Sequence, residues 1–151
     1  SDKILIPTGM GTGTRLIQLS ETESKTWTAT EVWTSLRLKP DFNDLVVHQG
    51  YIYGFDVGIF TCIDLVTGKP QWKQGRYGKG QVLLVADSGS LIVVTESGEV
   101  KLLEANPEKF REMGSLSAMD GKTWTHPVLV GSRLFVRNAE EAVCYELPIS
   151  P

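Results

Sequence analysis

The chain reads as an all-β protein, an arc of about four four-stranded antiparallel β-propeller blades in which the first and last blades are incomplete. Two observations predict this. A four-residue signature recurs four times, as Leu16-Ile17-Gln18-Leu19, Cys62-Ile63-Asp64-Leu65, Leu102-Leu103-Glu104-Ala105 and Cys144-Tyr145-Glu146-Leu147. Its copies stand 46, 40 and 42 residues apart, the length that four short strands and their turns require. Helical periodicity is almost absent, and short apolar alternations broken by Gly, Asp, Asn and Ser take its place.

The elements follow in order. A strand precedes each signature, at Lys3–Ile6, Tyr51–Phe55, Leu91–Thr95 and Arg133–Arg137. The turns between strand and signature carry Gly11 and Gly13, Gly58, Gly98, or the run Asn138 to Glu141. Glycine suits such hairpins because it takes φ > 0 without strain. After the signature comes a strand with an aromatic: Thr26–Thr28 with Trp27, Gln71–Lys73 with Trp72, and Lys109–Glu112 with Phe110. Apolar strands Leu45–His48, Val82–Ala86 and Val128–Val130 then open the next blades. The chain thus begins at a blade's second strand and closes after another blade's third. The blades span about 1–38, 39–77, 78–120 and 121–151. An open arc exposes two apolar end faces, so further blades or a second copy of the chain, as a homodimer closing a ring of about eight blades, are the expected partners.

The 151 residues suffice for a sizeable core. The net charge is −3 with both signs interspersed and no basic stripe, which argues against a nucleic-acid partner. No apolar run approaches the ~18 residues of a membrane span. The two cysteines are too few for a disulfide framework.

The second blade, Cys62-Ile63-Asp64-Leu65-Val66-Thr67-Gly68-Lys69-Pro70-Gln71-Trp72, resembles the PQQ-like propeller repeat of the quinoprotein alcohol dehydrogenase-like proteins. Asp64, Thr67, Gly68, Lys69 and Trp72 carry the match. Asp64 and Thr67 can cap the turn, Gly68 supplies its left-handed conformation, and Trp72 packs between blades. The other blades depart from it, with Thr22-Glu23 and Asn106-Pro107 in place of Thr67-Gly68. Phe42-Asn43-Asp44, Tyr53-Gly54-Phe55-Asp56, Gly75–Gln81 and Gly121–Pro127 extend the resemblance to the C-terminal part of bacterial secreted PQQ-like propeller proteins. The resemblance implies a periplasmic or secreted location.

Quinoprotein dehydrogenases hold PQQ under two adjacent cysteines, beside calcium. Cys62 and Cys144 stand at the same place in repeats two blades apart, so neither PQQ nor calcium is expected and both are read as small core residues. His48 and His126 sit at different heights in their blades, so no metal site is expected. The four tryptophans are read as core packing rather than a sugar platform. No hydrolase elbow Gly-x-Ser-x-Gly occurs. The starts of the innermost strands ring one mouth of the channel and bring together Asn43, Asp44, Gln81, Thr125 and His126. The loop Gly75–Gly80 adds Arg76, Tyr77 and Lys79. This is the expected binding site for a protein or small ligand, although the same glycines also suit an ordinary connection between blades. The expected function is a non-catalytic binding or scaffold propeller. Two alternatives stay open: the C-terminal arc of a quinoprotein-like dehydrogenase with its chemistry in other blades, and a carbohydrate-associated module.

Overall fold

A computed structural model describes residues 2–148 and contains fourteen strands. The first sheet holds β1 (Lys3–Ile6), β2 (Thr14–Glu21) and β3 (Trp27–Ser35). The second holds β4 (Val46–His48), β5 (Tyr51–Asp56), β6 (Ile59–Asp64) and β7 (Pro70–Arg76). The third holds β8 (Gln81–Val85), β9 (Ser90–Val94), β10 (Glu99–Glu104) and β11 (Glu112–Ser117). The fourth holds β12 (Val128–Val130), β13 (Arg133–Arg137) and β14 (Ala142–Glu146). Each sheet is an antiparallel meander in chain order, and the innermost strands β4 and β8 lie side by side. Among the described residues the first sheet has no innermost strand and the fourth no outermost one, as the repeat predicts.

The seams between blades follow from strand alternation. In β5, Tyr53 and Phe55 point to the third blade and Ile52 to the first. In β9, Leu91 and Val93 meet the second blade, while Ile92 and Val94 meet the fourth. Both faces of the two complete sheets are therefore buried. On the end blades the alternation continues with nothing packed outside it among the described residues. Leu134 and Val136 are buried in the seam with the third blade, while Phe135, Val128 and Cys144 are exposed on the other face. On the first blade, Leu5 packs inward and Ile4 and Ile6 face out. Cys144 therefore departs from the expected core role. Cys62, its equivalent, is fully buried in the second seam, where desolvation pushes its thiol up to about 12.

A second regularity is visible only in the register. The outer hairpins of the first three blades share a bulge at the same place, between Leu16 and Ile17, between Cys62 and Ile63, and between Leu102 and Leu103; the second blade has a further irregularity between Ile59 and Thr61. The residue that follows the bulge pairs with Leu16, Cys62 or Leu102, and it is Trp33, Trp72 or Gly114. Trp33 donates its indole N–H to the Leu65 carbonyl of the next blade at 3.1 Å, and Trp72 donates to Asn106 at 2.8 Å. Trp33, not Trp27, is thus the equivalent of Trp72. Trp27 opens β3 at 63% exposure, because the β2–β3 hairpin is longer than the others. Phe110 precedes β11 rather than lying in it, and packs edge-on to Trp72 at 5.5 Å.

The turn that receives Trp33 is built by the repeat motif. Asp64 accepts from the backbone N–H groups of Val66 and Thr67 and from the Thr67 hydroxyl, and the Lys69 carbonyl takes the Asp64 N–H. Gly68 sits at φ +67°, and a Cβ there would lie 2.8 Å from the Trp33 ring. Gly50 has φ +84° with open space around it. Gly68→Ala should therefore cost about 2 kcal/mol or more, from backbone strain and loss of the indole seat together, whereas Gly50→Ala should cost about 1 kcal/mol from strain alone. Urea denaturation of the two variants checks the difference.

Candidate ligand-binding site

In each meander the turn between second and third strands lies at the same end as the connection to the next blade. That end gathers the connectors 36–45, 77–80 and 118–127. Three of the expected residues are joined there across blades. The Gln81 carboxamide accepts from the Asp44 N–H at 3.2 Å and donates to the Trp124 carbonyl at 3.2 Å. Asn43 donates to the Gly80 carbonyl. Gln81 is 2% exposed and Asn43 5%, so both spend their polar groups holding connectors and neither offers an atom to a ligand. Asp44 and His126 meet at 3.1 Å on the open surface. Thr125 hydrogen-bonds the Arg137 carbonyl. His48 lies at the opposite end.

The Gly75–Gly80 loop is braced rather than free. The Tyr77 and Gly78 N–H groups both donate to the Gly58 carbonyl at 3.0 Å. Tyr77 packs against the second seam and gives its hydroxyl to Glu112 at 2.8 Å. Burial and that carboxylate hold its phenol well above the ordinary range. Lys79 is paired with Asp41 at 3.3 Å.

Four residues of this end escape sequence reasoning. Glu96, in the β9–β10 turn, accepts the Lys79 backbone N–H at 3.1 Å on one oxygen and the Trp124 indole at 2.9 Å on the other. These bonds, the Lys79 one foremost, hold its carboxyl below the usual range. Phe42 and Trp124 pack 5.0 Å apart at 59°, and both are substantially exposed. Lys122 stands over the Trp124 ring at 4.6 Å. Trp124 thus departs from the expected core role. Phe42 and Lys122 both pack against its ring.

A groove of about 510 Å³ runs beside this pair, between Arg76 and Tyr77 on one side and Gly121 and Lys122 on the other, with Thr95 to Ser97 along it. Both Glu96 oxygens are already used, and Glu99 is tied to Lys101 at 2.9 Å. Arg76 and Lys122 form no ion pair among the described residues. The groove thus carries two carboxylates and two cations, and of these Arg76 and Lys122 are the ones left without a hydrogen-bonded charge partner among the described residues. No group of three or more His, Cys, Asp or Glu able to hold a metal occurs among the described residues.

Below the same end lies an ion triad around a buried carboxylate. Asp56, 3% exposed, is held between Lys39 at 2.8 Å and Lys73 at 2.6 Å. Burial opposes its ionisation most strongly, but the two lysines together outweigh this and keep the carboxyl below its ordinary value. The triad ties the 36–45 connector to the outer strand β7.

Among solved structures the chain resembles the computationally designed Ika8 protein, with a TM-score of 0.74 and 10% identity over 97% of this chain and 43% of that one. It also resembles BamB from Moraxella catarrhalis, with a TM-score of 0.59 and 12% identity over 95% of this chain and 45% of that one. The chain spans less than half the length of either. At such identities the likeness shows the fold alone, and that fold is an incomplete β-propeller arc. No family model and no curated protein matches the chain.

Asp56→Asn should destabilise the chain by about 3 kcal/mol, the low end for breaking a buried pair because both lysines remain partly exposed. The folded pKa of Asp56 is depressed, so its contribution is complete above the unfolded carboxylate value of about 3.9 and is lost as pH falls through the lower folded value. Urea midpoints of wild type and variant should therefore differ at pH 7, and the difference should shrink only as pH falls below the unfolded carboxylate value and through the depressed folded one.

Proposed function

We propose that this chain is a PQQ-like propeller arc that acts as a non-catalytic binding scaffold, in a bacterial periplasmic or secreted setting, and holds a carboxylate-bearing protein segment at its connector end. The observation that carries this reading is the pair of cations at the groove that have no ion-pair partner among the described residues. The oxygens of Glu96 are committed to the protein's own donors, while Arg76 and Lys122 flank the groove without ion-pair partners. A guanidinium on one wall and an ammonium on the other offer a carboxylate charge-assisted donors from both sides. Asn43, Gln81 and Glu96 hold the connectors in place beforehand, so little ordering cost falls on binding. The expected site residues divide accordingly: Arg76 and Tyr77 line the groove, Lys79 braces its loop, Asp44 and His126 form a surface pair beside it, and Asn43 and Gln81 support it.

A glutamate-rich hexapeptide should produce saturable amide shifts at residues 76–78, 95–97 and 121–122. A glutamine-rich peptide should not. Arg76→Gln and Lys122→Gln should each weaken binding roughly fivefold, the share of a partly exposed charge-assisted hydrogen bond. Equal response to both peptides, or shifts centred at the opposite end of the blades, would contradict the reading.

A further inference from the structure

The register leaves one indole position without an indole. In the first two blades the residue after the outer-hairpin bulge is Trp33 or Trp72, whose ring fills the seam and whose N–H reaches a carbonyl of the next blade. In the third blade the same position is Gly114, and no atom lies within 4 Å of where its Cβ would stand. An apolar cleft of about 370 Å³ opens at this point between the third and fourth blades. Leu102, Leu116, Ile92 and Leu134 line it, and Leu147 and Pro148 stand at the same cleft. Leu102 is the equivalent of Cys62, which pairs with Trp72. Leu147 is the equivalent of Leu65, whose carbonyl takes the Trp33 N–H.

We propose that this cleft is a socket for an indole group, occupied by a tryptophan side chain from a partner polypeptide. The occupant is specified by the other two seams: an apolar slot of the same register, entered from the outer strand, with a backbone carbonyl of the following blade as acceptor for the N–H. The fit is one of both shape and chemistry. The cleft walls offer leucine and isoleucine methyl groups to the ring, and Leu147, at the position whose carbonyl takes the Trp33 N–H in the first seam, borders it. A plain aliphatic chain would fill the slot without using that acceptor. The socket lies apart from the groove at the connector end and does not depend on what binds there.

The test titrates N-acetyl-tryptophanamide into the labelled chain, with indole and 1-methylindole as companions. The expected result is saturable shifts at Leu102, Gly114, Leu134 and Leu147 with the first two probes, and about three- to tenfold weaker binding of 1-methylindole, the share of one net hydrogen bond. Gly114→Trp should fill the slot from within, abolish the response to all three probes and raise the unfolding midpoint. No saturable shift at the cleft, equal affinity for 1-methylindole, or an unchanged response in a folded G114W chain would overturn the proposal. The wild-type titration decides by itself should G114W not fold.

Discussion

The indole that leaves one blade and hydrogen-bonds the next is the contact on which the arc depends. Adjacent blades are separate sheets with no backbone ladder between them, so their spacing and rotation rest on side chains and on a few connector bonds such as Glu96 N–H to the Tyr77 carbonyl. Apolar burial supplies most of the attraction but little direction. The Trp33–Leu65 and Trp72–Asn106 bonds supply the direction, because a buried indole N–H without an acceptor is costly. The rest of the motif serves this contact. The bulge aims the tryptophan, Asp64 and Thr67 shape the receiving turn, and Gly68 clears a place for the ring. Where Gly114 stands instead, the seam holds its alignment through Leu134 and Val136 but opens toward its outer side.

Much of this architecture is legible in the residues because a blade buried on both faces must repeat. The period near 40 places the blades, and strands Lys3–Ile6, Val128–Val130 and Arg133–Arg137 match the expected bounds residue for residue. What the pattern does not show is which aromatic docks. Trp27 and Trp33 both lie near the first blade's outer strand, and only the bulge register separates them. Phe110 invites placement in β11, yet that strand begins at Glu112, with the phenyl ring turned back onto Trp72. Cys144 looks like Cys62 in every local respect. It is exposed because burial is a property of the neighbouring blade, not of the strand.

The connector end shows the same division. Asn43, Asp44, Gln81 and His126 come together because each starts, or just precedes, an innermost strand, and chain position carries that information. Glu96, Phe42, Lys122 and Trp124 come together through space, by hydrogen bonds and ring contacts between turns far apart in sequence. The outcome is a rim in which buried amides and the ion pairs of buried Asp56 hold the connectors, with Arg76 and Lys122 beside it free of ion pairs among the described residues. Glycines in the Gly75–Gly80 loop serve the same purpose: the backbone of Tyr77 and Gly78 closes onto Gly58, not outward toward solvent.

Hydrogen exchange of the four indole N–H groups tests the docking account most directly. Trp33 and Trp72 should exchange only on wholesale opening of the blades, with protection close to that of the most stable strand amides, while exposed Trp27 should exchange at nearly the free rate. Protection that is equal across all four indoles, or faster exchange at Trp33 and Trp72 than at Trp124, would contradict it.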